Sequence, residues 1–335
     1  MENSEPKYKA VVLKQFKSSE YDLVERPLPK LQPGEVLVKV FASPINPLDL
    51  IRINGGFAGL QTPFTPGSEA SGTVVDANVE EKEKLIGKKV SALAVSGAWA
   101  EYIVTKSNTL IVHDDDVDLE QAACGWVNPV TAYGMYHQAR KLKAEAIAIT
   151  GGNSALGKMM IKIAAKENMP LISIVRSKKS KIAELVALGQ KEEHILDSTD
   201  ADFEKQYVEL AQKLSVKCVF DCVAGPQVGI LISGLVKGGS YFNFGSLSGQ
   251  PIGGIDPTGL RWGGKSLHGF VSTMYLVSLP LEEQKEILEF IKKNMKTIFA
   301  STINNRVPAE PKEVAKAVEE YVKSMSDGKI LITFK

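Results

Sequence analysis

The stretch at 150–159, TGGNSALGKM, fits two opposed templates. From Gly152 it spells G-x-x-x-x-G-K, the opening of a loop that cradles a nucleoside triphosphate. By its spacing of small residues, with Ser154 in the middle, it is the glycine turn of a dinucleotide-binding fold. The first template needs a Ser or Thr after the lysine to hold magnesium, and Met159 stands there. Lys158, Lys162 and Lys166 recur every four residues, so they share one helix face, opposite Leu156, Met159, Met160, Ile163 and Ala164. Lys158 is therefore expected to face solvent, and the triphosphate template fails.

The second template has the right surroundings, because the turn follows an apolar strand at 145–150 and opens a helix at 155–168. Gly152, Ser154, Ala155 and Gly157 keep the backbone narrow enough for a pyrophosphate to approach the helix N-terminus. A strand-to-helix turn of small residues that holds no ligand would look the same. The next strand, 170–175, adds a discriminating feature. NAD-binding folds place an acid about 20 residues beyond the glycines to hold the ribose 2′-hydroxyl. Here the chain reads SIVRSKKSK (173–181), with Arg176 and no acid. Arg176 suits a 2′-phosphate bidentately, with Ser177 and Lys178 beside it at a helix start, so NADPH is expected rather than NADH.

Outward from this loop, the chain divides by texture. From residue 8 to about 106 it reads as short β-rich stretches (8–16, 35–43, 70–77, 88–95, 100–105) separated by turn-formers such as QPGE (32–35) and IGKK (86–89). From about 119 two helical stretches, interrupted at Asn128-Pro129, lead into alternating strands and helices, which imply a parallel, doubly wound sheet. From about 279 two amphipathic helices and a final strand at 329–334 remain. A β-domain at the start and a helix-plus-strand tail suggest that both termini build one domain, with the α/β domain inserted between them. The expected division is 1–123 plus 276–335 against 124–275.

Composition sets outer bounds. The 335 residues are 44% hydrophobic and 24% charged with net charge +1, so neither nucleic acid nor an acidic surface is expected as the main partner. No apolar run approaches the ~18 residues of a membrane span. Cys124, Cys218 and Cys222 form no C-x-x-C pattern, and the first residues show no signal or transit pattern, so a reducing, cytoplasmic location is expected.

Five further segments, PGSEASGTV (66–74), GAWAEYIVT (97–105), NPVTAYGM (128–135), VFDCVAG (219–225) and GKILITF (328–334), stand in the order found in the medium-chain dehydrogenase/reductase superfamily. The resemblance covers nearly the whole chain. Within the superfamily, SPINPLD (43–49), VNPVTAY (127–133), GGNSALG (151–157), SIVRS (173–177) and LSGQPI (247–252) look most like the 2-enoyl thioester reductases and the quinone oxidoreductases. The resemblance implies a Rossmann domain inserted into a GroES-like β-domain, with the active site in the cleft between them, and commonly a homodimer. It also implies that Asn46, Asn128 and Thr131 line the nicotinamide side. Asn153, Ser154, Ala155 and Leu156 would cradle the pyrophosphate between Gly152 and Gly157. Arg176, Ser177 and Lys178 would take the 2′-phosphate. Phe244, Gly245, Ser246, Leu247, Phe270, Val271, Ser272, Thr273 and Lys329 would complete the cofactor site.

Zinc-dependent members hold their metal with a Cys near the position of Ser43 or Pro44, the His of a GHE segment, and a further Cys or acid. Here that segment is Gly67-Ser68-Glu69 and no cysteine precedes Cys124, so no metal is expected. A metal-free hydride transfer suits a small-molecule acceptor already activated by conjugation: a quinone, an α,β-unsaturated carbonyl or an enoyl thioester. The enoyl thioester reductases carry a tyrosine in the stretch matching INGGFAG (53–59) as proton donor; by count from Asn46-Pro47 that position is Phe57. A phenyl ring donates no proton. The expectation is therefore a quinone or activated-alkene reductase. The alternatives are a trans-2-enoyl thioester reductase and, in another class, an NADPH-binding structural or regulatory protein with little activity.

Overall fold

The computed structural model describes residues 6–94, 97–325 and 327–334. The chain forms two compact units, one running up to Pro129 and resuming at Leu288, the other spanning Val130–Ile287. From sequence, the switches fall at 123/124 and 275/276. The contacts place them later, inside two continuous helices where no turn residue marks a change.

The second unit is built on β8 (Ala146–Thr150), β9 (Leu171–Val175), β10 (Ile195–Asp197), β11 (Val216–Asp221), β12 (Ser240–Asn243) and β13 (Ser266–Gly269), numbered in chain order after seven strands of the first unit. Their order is β10-β9-β8-β11-β12-β13 and every pair is parallel. This is the doubly wound order, with its reversal between β8 and β11. Strands β8 (AIAIT) and β9 (LISIV) are buried at every residue, as strands covered on both faces must be. The crossovers include α4 (Ala155–Lys166), α5 (Ile182–Ala187), α6 (Phe203–Leu214) and α7 (Val228–Ser233); α8 (Pro257–Gly263) and α9 (Ser272–Ser278) flank β13. Tyr207, Tyr241, Val219 and Leu231 sit in the core that α6 and α7 close over the sheet. On α4, Leu156, Met159, Met160, Ile163 and Ala164 are buried as the sequence spacing predicts, and Ile161 joins them; Lys158 pairs with Glu184.

The first unit contains a hairpin of β1 (Lys7–Leu13) and β2 (Tyr21–Pro27), and a sheet of β3 (Glu35–Pro44), β4 (Glu69–Asn78), β5 (Lys89–Leu93), β6 (Tyr102–Lys106), β7 (Ile111–Val112), β14 (Ile303–Pro308) and β15 (Lys329–Thr333). The sheet runs β14-β15-β3-β4-β5-β7, with β6 paired to β3. The C-terminal strand β15 thus pairs antiparallel with β3 near the start of the chain. The sequence suggested only one strand in the tail; β14 is a second, with alternating burial on its polar residues. The last residue of the β-rich stretch 88–95, Val95, lies outside the described residues.

Helices α1 (Pro47–Ile53) and α2 (Leu119–Ala123) belong to this unit, as does α11 (Pro311–Lys323); α3 (Val127–Lys141) and α10 (Leu281–Lys293) continue from one unit into the other. The break between α2 and α3 falls at 124–126, not at Asn128-Pro129 as the sequence suggested. Pro129 lies in the first turn of α3, where an N–H has no helical partner and its absence costs nothing. Trp126 fills the core with its indole N–H on the Thr109 carbonyl at 2.5 Å, whereas Trp262 is 78% exposed.

Candidate active site

In the second unit, parallel pairing puts the carboxyl ends of all six strands on one edge of the sheet. The glycine turn leaves β8 there. Gly151 has φ 65°, in the region that favours glycine, and Ser154 caps α4 by accepting the Gly157 amide at 3.0 Å. A Cβ at Gly152 would meet the Ser173 Cβ at 2.8 Å. One at Gly157 would stand 2.5 Å from the Gly151 carbonyl and 2.6 Å from that of Gly152. The first turn of α4 therefore lies against the loop backbone, which only glycine allows. This leaves a narrow cradle before a twelve-residue helix, chemistry suited to a pyrophosphate.

At the reversal point the sheet is tied by Asp221, which sequence reasoning passed over. It is fully buried, and its carboxylate accepts the Thr150 hydroxyl at 2.5 Å, the Tyr241 hydroxyl at 2.6 Å, and the amides of Val223 and Ala224 at 2.9 Å. Thr150 Oγ1 in turn accepts the Cys222 amide. An aspartate closing an apolar strand and followed by small residues was the available signal.

The remaining cofactor candidates of this unit stand on the same edge. Phe244 to Leu247 follow β12; the amides of Phe244 and Leu247 donate to the carbonyls of Asp221 and Cys222, and Ser246 and Leu247 are exposed. Phe270 is buried against Tyr275, with Val271 exposed and Ser272 and Thr273 opening α9. Arg176 leaves β9 exposed. Ser177 and Lys178 do not open an α-helix as the sequence suggested, because a short 3-10 turn covers 178–180. Thr131 is buried on α3.

In the first unit the structure brings Asn46 and Lys329 together. The Lys329 ammonium, 3% exposed, donates to Asn46 Oδ1; Asn46 Nδ2 donates to Glu69 Oε1 at 2.9 Å; Glu69 Oε2 accepts the amides of Trp126 and Val127 at 2.9 and 2.7 Å. Beside this chain, Asp49 Oδ2 accepts the Asn46 amide at 2.8 Å, and Asp49 Oδ1 accepts the Ser68 hydroxyl at 2.5 Å. Burial raises the pKa of both Asp49 and Glu69. Burial opposes the Lys329 charge, but Tyr321, Cys124, Glu69 and Asp49 outweigh it and hold its pKa above the ordinary lysine value. Asn128 is half-buried at the start of α3.

Phe57 stands apart from that chain, on the loop after α1. Its ring is 42% exposed, with the Arg52 guanidinium 5.2 Å from its centroid. Arg52 is 8% exposed and donates to Ser68 Oγ at 3.3 Å, beside the Asp49 carboxylate. The sequence offered no signal for this buried arginine beyond its place six residues after Asn46. Glu69 ends the segment Gly67-Ser68-Glu69, and its carboxylate is occupied by Asn46 and the amides of Trp126 and Val127. Among the described residues no group of three or more His, Cys, Asp or Glu is placed to hold a metal ion, and no helix is long and apolar enough to cross a membrane.

The family model of the alcohol dehydrogenase GroES-like domain matches residues 32–148. A mitochondrial enoyl-[acyl-carrier-protein] reductase of Caenorhabditis elegans is 30% identical over 307 residues, covering 86% of this chain and 85% of its own. A Mesorhizobium loti protein described as an NADPH:quinone reductase superposes with a TM-score of 0.84 at 25% identity, covering 99% of this chain and all of its own. The Etr1p complex with NADP and crotonyl-CoA superposes at 0.78 with 23% identity, over 98% of this chain and all of its own. With the doubly wound sheet, the split β-domain and these relatives, the chain is an oxidoreductase and belongs to the medium-chain dehydrogenase/reductase superfamily, in the part shared by enoyl thioester reductases and quinone oxidoreductases.

Proposed function

We propose that the protein is an NADPH-dependent, zinc-independent reductase of quinones or activated alkenes. The observation that carries the choice of acceptor is Phe57: a half-exposed phenyl ring backed by Arg52, where a proton-donating phenol would suit an enoyl thioester. NADPH, when bound, supplies the hydride. The cradle at Gly152, Asn153, Ser154, Ala155, Leu156 and Gly157 admits its pyrophosphate, and Arg176 with Ser177 and Lys178 offers side-chain donors to the 2′-phosphate. Phe244 to Leu247 and Phe270 to Thr273 border the same sheet edge. Asn46 is held by Lys329 and Glu69 in a fixed orientation suited to positioning a bound group; Asn128 and Thr131 complete the proposed lining. A quinone places its negative charge on oxygens that water protonates, so it demands no acid from position 57.

Occupation of Glu69 by Asn46 and two backbone amides supports the zinc-independent reading. Three unpaired, buried thiols suit a reducing compartment, which we place in the cytoplasm, and the superfamily resemblance suggests a homodimer. The second reading, enoyl thioester reduction, is favoured by the names of the curated relatives.

The test is NADPH oxidation with 9,10-phenanthrenequinone, an alkenal and crotonyl-CoA. Turnover of the first two with slow crotonyl-CoA supports the proposal. Preferred crotonyl-CoA establishes the second reading, and no turnover with any of them removes both. In Phe57→Tyr, crotonyl-CoA reduction should rise by about 10², the usual worth of a general acid.

A further inference from the structure

The turn that carries Arg176 is held by an acid from the next strand. Ser177 adopts φ 59° and ψ 54°, a left-handed conformation that is uncommon for a residue with a Cβ and persists where neighbours enforce it. Asp197 closes β10 in register with Val175, the last residue of β9, and is 8% exposed. Its carboxylate accepts the Lys178 amide at 2.7 Å and the Thr199 amide and hydroxyl at 2.9 and 2.6 Å. Burial works against its charge, yet the Thr199 hydroxyl and the amides of Lys178, Thr199 and Ser177 hold its pKa below the usual carboxylate value.

Two consequences follow for an anion arriving at Arg176. The Lys178 amide is already engaged, so recognition falls to the side chains of Arg176, Ser177 and Lys178. The carboxylate itself is turned onto the backbone and saturated with donors, so it does not stand outward as the acid of an NAD site would. We propose that Asp197 is a positioning residue for cofactor choice: by fixing the Ser177 turn it presents Arg176 to the 2′-phosphate of NADPH. This rests on the NADPH reading above.

The experiment measures NADPH and NADH affinity by fluorescence titration for the wild type, Asp197→Ala, Asp197→Asn and Arg176→Ala, with circular dichroism to establish folding. In Asp197→Ala the NADPH affinity should fall roughly tenfold, the worth of one charge-assisted hydrogen bond, with NADH changed by less than about twofold. Asp197→Asn keeps one acceptor oxygen and should fall between; it carries the same comparison should the alanine variant not fold. An equal loss for both cofactors, or an undiminished preference, overturns the proposal. If Arg176→Ala loses the preference while Asp197→Ala keeps it, only the role of Asp197 fails. A wild type that binds both cofactors equally overturns the NADPH reading and this proposal with it.

Discussion

The carboxyl edge of the second unit's sheet and the polar cluster of the first unit both present groups for a ligand, but they are stabilised by opposite means. At the sheet edge the decisive feature is missing side chains: Gly152 and Gly157 let backbone meet backbone, and of the two cations assigned there Arg176 is exposed and Lys178 half-buried. In the first unit Lys329, Glu69 and Asp49 are removed from water and hold one another through Asn46. The first arrangement depends on shape and the second on charge. Changes of volume should therefore damage the former, and changes of protonation the latter.

The largest effect should come from Lys329→Met. Removing one partner of a buried ionic cluster typically costs about 3–5 kcal/mol, because the remaining charges stay desolvated. The variant should also change its response to pH. Folded Glu69 and Asp49 already have raised pKa values, and loss of the cation raises them further. As pH falls, the folded variant takes up protons before the unfolded chain does, so its stability should recover on acidification. Denaturant unfolding at several pH values checks this; a loss below about 1 kcal/mol would mean that the cluster is not a charge-balanced unit.

A second buried group of the first unit sharpens the contrast from the other sign. His113 is 4% exposed, and its Nε2 lies 2.7 Å from Ser91 Oγ, which itself donates to the Ala122 carbonyl at 2.6 Å. Burial and the nearby Lys292 lower its pKa to about 4, against a small opposing effect of Asp114. Below the ordinary histidine value near 6.5, the unfolded chain binds a proton that the folded chain refuses. Stability is then complete above that pH and declines as pH falls towards 4, by about 2–3 kcal/mol across the window. His113→Gln, neutral throughout, should flatten that decline. An unchanged slope would assign the acid sensitivity to other groups.

The same contrast explains what the sequence disclosed. The glycine turn, Arg176 and the strand–helix alternation are encoded locally, within some 30 residues, so spacing and residue type reveal them. Lys329 and Asn46 meet across 283 positions, and Glu69 reaches Trp126 across 57. No periodicity connects such partners; only the pairing of β15 with β3 brings them together. Resemblance placed Asn46 and Lys329 at a site but gave no hint that they hold each other. Asp197 was hidden differently. It closes β10, two strands on from the glycine turn, and is turned onto the backbone, where no sequence spacing marks it.

The smallest of these effects should be the most selective. Gly157→Ala adds one carbon that would stand 2.5 and 2.6 Å from two backbone carbonyl oxygens, neither of which can rotate away as a side chain can. Overpacking of this kind costs about 1–3 kcal/mol, and relief requires the first turn of α4 to move off the loop. NADPH affinity should therefore fall with stability, and by the same amount at pH 6 and pH 8, since no titrating group is involved. Gly253→Ala is the matched control, because its Cβ would meet nothing nearer than Pro226 at 3.8 Å. If the two substitutions behave alike, the close approach at Gly157 is not what shapes the cradle. If the loss at Gly157 varies with pH, the distinction between a site held by shape and one held by charge does not stand.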